Sequence, residues 1–295
     1  MRMKNYHKLL VLLPFMAMFA CTEPIKIDLE EGPPLIGVDA SFTDELKHHR
    51  AVLSYTADFY NHDDIEMISG ARVFVTDGVD TIQYFESAEE KGYYYTDLVA
   101  GKKNTLYHLI VDVPEISEKD GYVHLTAESM MKDNVESLDS LVLKPYSLGG
   151  LMVDTMICLY PYFQSLPDKS IVYMIDLWKN DTLLTDTLTK RRSIPMAGYA
   201  GYYVNAGEFL EHNMEIPIAG FNKKKLFDGD VVRANILSIP TDYMMYVYNV
   251  SSSLGSNPMM GPPTNVATNI LPKGKAVGWF YAASVVSGEA VWHSD

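Results

Sequence analysis

The sequence is poor in cysteine, with 2 in 295 residues, so a framework of several disulfides is excluded. Cys158 lies in the apolar run 156–160, where a free cysteine behaves as a small buried hydrophobe. A reactive thiol needs an electropositive and accessible setting, and no histidine or basic residue lies near Cys158 in the sequence. We therefore place Cys158 in the core and give it no catalytic role.

Positive charge is also scarce, with 24 Lys and Arg against 38 Asp and Glu and a formal net charge of −14. Binding to the phosphate backbone of nucleic acid requires basic side chains that displace counterions, so nucleic acid is not an expected partner. Neither a Walker phosphate loop nor a G-x-S-x-G elbow occurs, and the full calcium-loop pattern is missing. We predict no cofactor, no metal, no catalytic residue and no enzymatic activity. A hydrolase built on two carboxylates stays open, because their separation depends on the fold.

Long apolar runs are missing beyond the N-terminus, and the first run is short. Leu9–Ala20 contains twelve residues preceded by three basic ones, and it spans roughly 18 Å against the ~30 Å of a hydrocarbon core. This predicts an export signal over residues 1–20 rather than a transmembrane helix. The run ends at Ala20-Cys21, which resembles a bacterial lipoprotein signal whose cysteine is acylated. We predict lipidation at Cys21; an ordinary secretory signal is the alternative.

Residues 21–35 are rich in acidic residues and proline. Proline favours extended conformations and like charges resist collapse, so this stretch is interpreted as a tether. An acidic stretch after the lipidated cysteine also resembles the signal that sends Bacteroidota lipoproteins to the cell surface, and a merely acidic linker is the alternative. The expected location is the outer membrane, with the protein lipid-anchored and surface-exposed.

The body of the chain alternates apolar and polar residues with period two, which is typical of half-buried strands. In Leu53–Phe59 the odd positions are apolar, and Asp77-Gly78 provides a tight hairpin turn between residues 72–75 and 81–85. Several such segments follow one another at spacings of about ten residues. The fold class is therefore mainly β, and residues 36–130 are predicted to form an immunoglobulin-like β-sandwich.

Residues 131–295 are predicted to form a second β-rich domain that carries one helix at about 241–254. Val135–Pro145 fits either a helical turn or a strand, and we interpret it as the passage into this domain. Pro240 ends a strand, Thr241 or Asp242 can cap the helix, and an apolar stripe at offsets of three and four predicts its packing face. Gly278, next to two aromatic residues, suggests close backbone packing under a large ring.

A proline-rich loop after this helix is the candidate partner or ligand site. Its prolines and a glycine exclude a helix and a central strand. The 20 tyrosines suit strands, and any that are exposed would serve an interface or stack on sugars. The candidate loop residues are Asn257, Pro258, Met259, Met260, Pro262 and Pro263.

An ordered set of short motifs resembles the Bacteroidota outer-membrane lipoprotein family catalogued as domain of unknown function 4249. The C-terminal marks are Asn257-Pro258, Pro262–Val266, Thr268-Asn269-Ile270 and Val277–Ser284. Earlier marks are Cys21, Ser69–Val73, Gly92-Tyr93-Tyr94, Tyr107–Val111 and Leu226–Val232. The resemblance implies a surface or periplasmic lipoprotein, often associated with TonB-dependent receptors of the starch-utilisation type, and it supplies no catalytic residues.

Two functional hypotheses lead from these observations. The first is a non-enzymatic, lipid-anchored accessory protein of the outer membrane that contacts a TonB-dependent receptor of a nutrient-uptake system. The second is a surface binding or adhesion module that captures a glycan or peptide ligand.

Overall fold

The structure, a computed structural model, describes residues 34–57, 65–114, 121–133, 135–148, 151–165, 171–185, 203–205, 217–254 and 266–294. The predicted signal peptide 1–20, Cys21, nearly all of the tether 21–35 and the candidate loop 257–263 lie outside the described residues. The predictions for these segments therefore stay predictions.

The chain is mainly β, as the sequence predicts, and the described residues contain one α-helix. The first seven strands are β1 (Ile36–Thr43), β2 (Arg50–Tyr55), β3 (Arg72–Thr76), β4 (Thr81–Glu86), β5 (Tyr93–Thr96), β6 (Thr105–Pro114) and β7 (Tyr122–Met131). The later strands are β8 (Val135–Leu148), β9 (Leu151–Ser165), β10 (Ile171–Lys179), β11 (Thr182–Leu183), β12 (Tyr203–Asn205), β13 (Ala219–Asn222), β14 (Val231–Pro240) and β15 (Ala276–Val291). The helices are the short 3-10 helix η1 (Lys223–Lys225) and α1 (Thr241–Leu254).

Several predicted period-two patterns and turns form the expected elements, whereas the alternation in Leu53–Phe59 forms a strand only to Tyr55, where β2 ends. In β6 the alternate residues from Tyr107 to Val113 are buried while their neighbours are partly exposed. The β3–β4 hairpin pairs Thr76 with Thr81, and Gly78 in its turn has φ +86°, a conformation that favours glycine. Val135–Pro145, which the sequence leaves between a helical turn and a strand, belongs to strand β8 and pairs with β9.

The larger sheet joins strands from both halves of the chain. Its order among the described residues is β11-β10-β14-β15-β1-β2-β5-β4-β3-β6-β7, with β12 also paired to β10. A second sheet has the order β13-β9-β8. The predicted domain boundary after residue 130 falls at the end of β7, and the division into domains at that point stays a prediction.

Strand β15 changes its pairing partner halfway along its length. Residues 276–283 pair with β1 in parallel, whereas residues 284–291 pair with β14 in antiparallel. Where β1 ends, the amide of Val285 donates to Asp44 Oδ1 at 2.7 Å, so a side chain replaces the next backbone acceptor. One strand thus belongs to the two β-rich halves at once.

On the opposite edge of β15, where residues 276–283 have no strand partner, side chains form hydrogen bonds with the backbone amides and carbonyls. Asn269 accepts from the Phe280 amide at 3.0 Å and donates to the Phe280 carbonyl at 2.8 Å. The amide of Ala282 donates to Ser129 Oγ on β7 at 2.8 Å, and Thr268 Oγ1 donates to the Gly278 carbonyl at 2.6 Å. These contacts bring β15 against β7, so that the first sheet curls around its own core as a sandwich.

The described residues form four hydrophobic clusters, the smallest of which contains Tyr146, Cys158 and Tyr160; the three larger cores follow from the alternation of the strands. The first lies inside the curled sheet and includes Phe42, Tyr84, Tyr94, Leu109, Leu125 and Phe280. The second lies between the β8-β9-β13 sheet and one face of β10, β14 and β15, and it includes Leu159, Tyr173, Leu177, Val232 and Ile236. The third lies on the opposite face of the same three strands, under α1, and includes Met174, Leu237, Tyr243, Val247 and Trp279.

Helix α1 occupies the predicted range and packs through its predicted stripe. Tyr243 and Val247 are buried, and the ring of Tyr243 stacks on Tyr281 with centroids 4.2 Å apart. Asp242 stands in the first turn and accepts from the Tyr243 amide at 2.9 Å, where its charge also complements the helix dipole. The stripe is therefore a packing face against β10, β14 and β15.

Gly278 is required because the backbones of β15 and β1 lie close together at this point, not because an aromatic ring packs above it. It has φ +101°, and a Cβ there would lie 2.8 Å from the carbonyl carbon of Val38 and overlap the carbonyl oxygen. Gly229 has a similar φ of +82° with no atom within 4 Å of such a Cβ. Substituting each glycine by alanine therefore distinguishes two free-energy costs: that of a positive φ, which both positions share, and that of the contact with Val38, which only Gly278 would make.

We predict that Gly278→Ala lowers the free energy of unfolding by about 3 kcal/mol or more, because β1 must move away from β15. The matched change Gly229→Ala should cost about 1 kcal/mol, from the positive φ alone. Urea unfolding of both variants and of the unchanged protein measures the difference. Equal losses in the two variants would contradict the close approach.

Candidate functional site

A cleft of about 660 Å³ opens between the end of β1 with its following loop and one face of β10, β14 and β15. Side chains of Ser41, Thr43, Glu45, Lys47, His48 and Arg50 form one wall. The sheet contributes Asp176, Trp178, Arg233, Asn235, Leu237, Tyr281 and Ser287.

The position of the cleft follows from period two in β10 and β14. The odd residues of β10 and the even residues of β14 enter the second core, as Leu177 and Val232 do. The even residues of β10 and the odd residues of β14 point to the opposite face, where α1 covers one end. At the uncovered end of that face stand Asp176, Trp178 and Arg233, so the cleft is the part of the sheet that the helix leaves open.

Arg233 and Trp178 form a stacked pair on the cleft floor. The two residues are direct neighbours across β10 and β14, and the Arg233 Cζ lies 4.6 Å from the centre of a Trp178 ring. Such a cation–π contact orients the guanidinium. Among the described residues no carboxylate pairs with Arg233 within 4 Å, so its donors are available to a ligand.

Glu45 fixes the opposite wall to the sheet. Its Oε1 accepts from Asn235 Nδ2 at 3.2 Å, and its Oε2 accepts from Thr43 Oγ1 at 3.1 Å and from the Lys47 ammonium. Both carboxylate oxygens are thereby engaged, which gives Glu45 a structural part in shaping the cleft.

Arg50 stands at the rim, where the cleft meets the aromatic side chains of Tyr95 and Phe85. Its guanidinium lies 3.7 Å from Asp39, and both side chains are more than half exposed, so this pair contributes little stability. Arg50 is opposite Tyr95, which is opposite Phe85 on the next strand. Phe85 is 50% exposed, so the row of Arg50, Tyr95 and Phe85 extends the cleft along the outer face.

His49 holds the loop that forms this wall. It is buried, its Nε2 donates to the Val99 carbonyl at 2.9 Å, and its Nδ1 accepts from the Thr43 amide at 3.4 Å. Burial lowers the pKa of His49 from 6.5 to about 4, because the charged form loses its hydration. The imidazole is therefore neutral at physiological pH and ties the end of β1 to the residues before β6.

Of the residues singled out in the sequence, Cys158 is described by the structure, whereas the lipidation site and the candidate loop are not. Cys158 is buried, and burial raises the pKa of its thiol to about 11, which confirms its assignment to the core. Cys21 and the loop residues Asn257, Pro258, Met259, Met260, Pro262 and Pro263 lie outside the described residues.

The cleft residues were not singled out from the sequence. One feature of the sequence does mark them: a charged residue stands within a largely apolar strand, as Asp176 does in β10 and Arg233 in β14. Taken alone, such a residue is typical of the solvent-facing side of a strand. Asp176 and Arg233 lie in one cleft with Glu45 and Arg50 because β15 pairs with both β1 and β14.

The described part of the chain contains neither a group of metal-binding side chains nor a helix suited to crossing a membrane. No three or more His, Cys, Asp or Glu side chains gather there in a way that could hold a metal ion. No helix in that same part is both long and apolar enough to cross a membrane.

Comparison with known proteins finds one family. A family model described as "Domain of unknown function (DUF4249)" matches residues 22–289. No curated protein matches the chain. Among solved structures, the crystal structure of chicken CNTN1 FN1-FN3 domains is similar at 13% identity and a TM-score of 0.27, over 72% of this chain and 64% of that chain.

We predict that His49 makes stability depend on pH between 6.5 and 4. Above pH 6.5 the imidazole is neutral in both states and its contribution is complete; as the pH falls toward 4, the unfolded chain binds a proton that the folded chain excludes. The unfolding free energy should therefore drop by about 2 to 3 kcal/mol from this residue. Urea unfolding at pH 7, 5.5 and 4 should show a shallower drop in His49→Gln, and identical pH profiles would contradict the assignment.

Proposed function

The chain belongs to the DUF4249 family, and we propose that it is a non-enzymatic, lipid-anchored accessory protein of the outer membrane, of Bacteroidota type. One observation carries the proposal: a basic start, a short apolar run and Ala20-Cys21 in that order. The family match begins at residue 22, directly after the cysteine, which fits a family domain that follows an acylated N-terminus.

The charge of the chain supports anchoring by lipid. Loss of residues 1–20 would remove three basic and no acidic residues, leaving 21 Lys and Arg against 38 Asp and Glu. Such a surface is repelled by anionic headgroups, so electrostatics cannot hold it on a membrane. Several acyl chains, at about 0.8 kcal/mol for each buried CH₂, would do so.

The non-enzymatic part of the proposal is supported by the cleft. A general base needs a carboxylate free to take a proton from its substrate, whereas both oxygens of Glu45 already accept hydrogen bonds from the protein. Oδ1 of the other cleft carboxylate, Asp176, accepts from Thr185 Oγ1 at 3.4 Å. The receptor part rests on the family resemblance, which implies association with TonB-dependent receptors.

We predict that Cys21→Ser abolishes incorporation of radiolabelled palmitate and moves the protein from the membrane fraction to the soluble fraction, because the acylated thiol is lost. Cys158→Ala is the matched control, since it removes the other cysteine, which is buried. The control should retain label and membrane association. Label that persists in Cys21→Ser, or is lost in Cys158→Ala alone, would contradict lipidation at residue 21.

We further predict that the tagged chain, crosslinked in intact cells and purified from outer membranes, is recovered with a TonB-dependent receptor. The Cys21→Ser variant should recover much less receptor, because it no longer shares the membrane. Mass spectrometry of the crosslinked material identifies the partner. Repeated recovery of the tagged chain without any such receptor would count against the accessory role.

A second candidate function is favoured by a specific observation. The cleft combines an oriented arginine, an aromatic row and several hydroxyl and amide groups, which suits a module that captures a glycan or peptide at the cell surface. The two candidates are compatible if the receptor imports what the cleft captures.

A further inference from the structure

We propose that the cleft binds an acidic saccharide, a sugar chain that carries carboxylate groups. The proposal rests on the second candidate function and specifies its ligand class. It comes from three properties of the cleft: the pairing of its strands, the chemistry of its lining and its charge.

The strands that line the cleft have no free backbone edge to offer. Within the described sheet, β1 lies between β15 and β2, and β14 lies between β10 and β15. Strand β2 lies between β1 and β5, and the outer edge of β10 is taken by β12, β11 and residues 184–185. Where no strand pairs with β15, the side chains of Thr268, Asn269 and Ser129 bond its backbone. An extended peptide therefore cannot add a strand here, as it does at an exposed sheet edge, and recognition has to come from side chains.

The lining also lacks an apolar pocket for a peptide side chain. Leu237 is its single aliphatic residue, whereas peptide anchors need well-packed, desolvated pockets. Hydroxyl and amide groups such as those of Ser41, Asn235 and Ser287 line it instead. These groups match the hydroxyls of a sugar, which both donate and accept hydrogen bonds.

Aromatic rings provide the surfaces on which sugar rings pack. Trp178 lies in the cleft with the Arg233 guanidinium over its ring, and the half-buried Tyr95 and the half-exposed Phe85 lead away from it past Arg50. Tyr281 also lines the cleft, but its ring is buried and stacked on Tyr243, so we assign it no contact with a sugar ring. Aromatic faces are broad apolar surfaces with a negative quadrupole, to which the C–H groups of a sugar are complementary. The row crosses the three neighbouring strands β2, β5 and β4, which in a sheet lie about 4.8 Å apart.

The charge of the cleft selects an acidic sugar. The cleft has three basic residues, Lys47, Arg50 and Arg233, against the two carboxylates Glu45 and Asp176. Lys47 is paired with Glu45, and Arg50 lies 3.7 Å from Asp39 in an exposed pair that is weak enough for a ligand carboxylate to replace. Arg233 has no such carboxylate partner among the described residues, so the two guanidiniums are the groups that can meet an acidic sugar. A guanidinium binds a carboxylate through two parallel hydrogen bonds.

The test is isothermal titration calorimetry of the full-length chain in detergent micelles with two probes, oligogalacturonate and its fully methyl-esterified form. The esters keep the sugar rings and remove the charge. We expect the acid to bind at least tenfold more tightly than the ester. We also expect its affinity to fall as NaCl is raised, because the contact is ionic and partly exposed.

Variants locate the binding site. Arg50→Gln and Arg233→Gln should each weaken binding of oligogalacturonate by roughly tenfold, as loss of a charge-assisted hydrogen bond does, with unfolding midpoints close to that of the unchanged protein. Arg72→Gln is the matched control: its Cζ lies 4.4 Å from the centre of the Tyr122 ring, and it does not line the cleft. That control should bind normally.

The outcomes separate this inference from the functions on which it rests. Equal binding of the acid and the ester would overturn the charge selection and leave glycan capture standing. Binding of poly-glutamate without binding of oligogalacturonate would overturn the saccharide in favour of a peptide. Normal binding by both cleft variants would overturn the site, and none of these results would touch the palmitate test of lipid anchoring.

Discussion

The structure depends on how the backbone of β15 is satisfied where it changes partner. An unpaired amide or carbonyl in a buried strand costs about 1 to 3 kcal/mol, and the exchange of β1 for β14 near residue 284 would leave several. Asn269, Ser129 and Asp44 fill these places with side-chain oxygens and nitrogens. Because they do, one strand can close the first sandwich against β7 and still extend into the sheet that covers the second core.

The cleft is a consequence of the same partner exchange. Strand β1 ends at Thr43, and the chain then turns away from the sheet through Asp44, whose carboxylate accepts from the β15 backbone. Glu45 follows at once and contacts Asn235 on β14. The gap between the departing loop and the exposed face of β14 and β10 is the cleft, so its wall and its floor are both set by where β1 stops.

Local features of this fold could be predicted from the sequence, and long-range ones could not. Alternation around Tyr107–Val113, the Asp77-Gly78 turn and the helix after Pro240 are encoded within a few residues, so pattern and turn chemistry suffice. The parallel pairing of β1 with β15 joins residues about 240 positions apart, and no local pattern specifies it. The cleft depends on that pairing, so the charge of Arg233 within its strand could be seen in the sequence, but its place beside Arg50 in one cleft could not.

The motifs that mark the family have structural roles where the structure describes them. Thr268 and Asn269 bond the backbone of β15, and Gly278 permits the close approach of Val38. Such residues are required for the strand exchange whatever the protein binds. The cleft residues Arg50 and Arg233 lie outside those motifs, and nothing in the hydrogen bonding of β15 demands them. The motifs therefore account for the strand exchange, and the cationic groups of the cleft come from positions outside them.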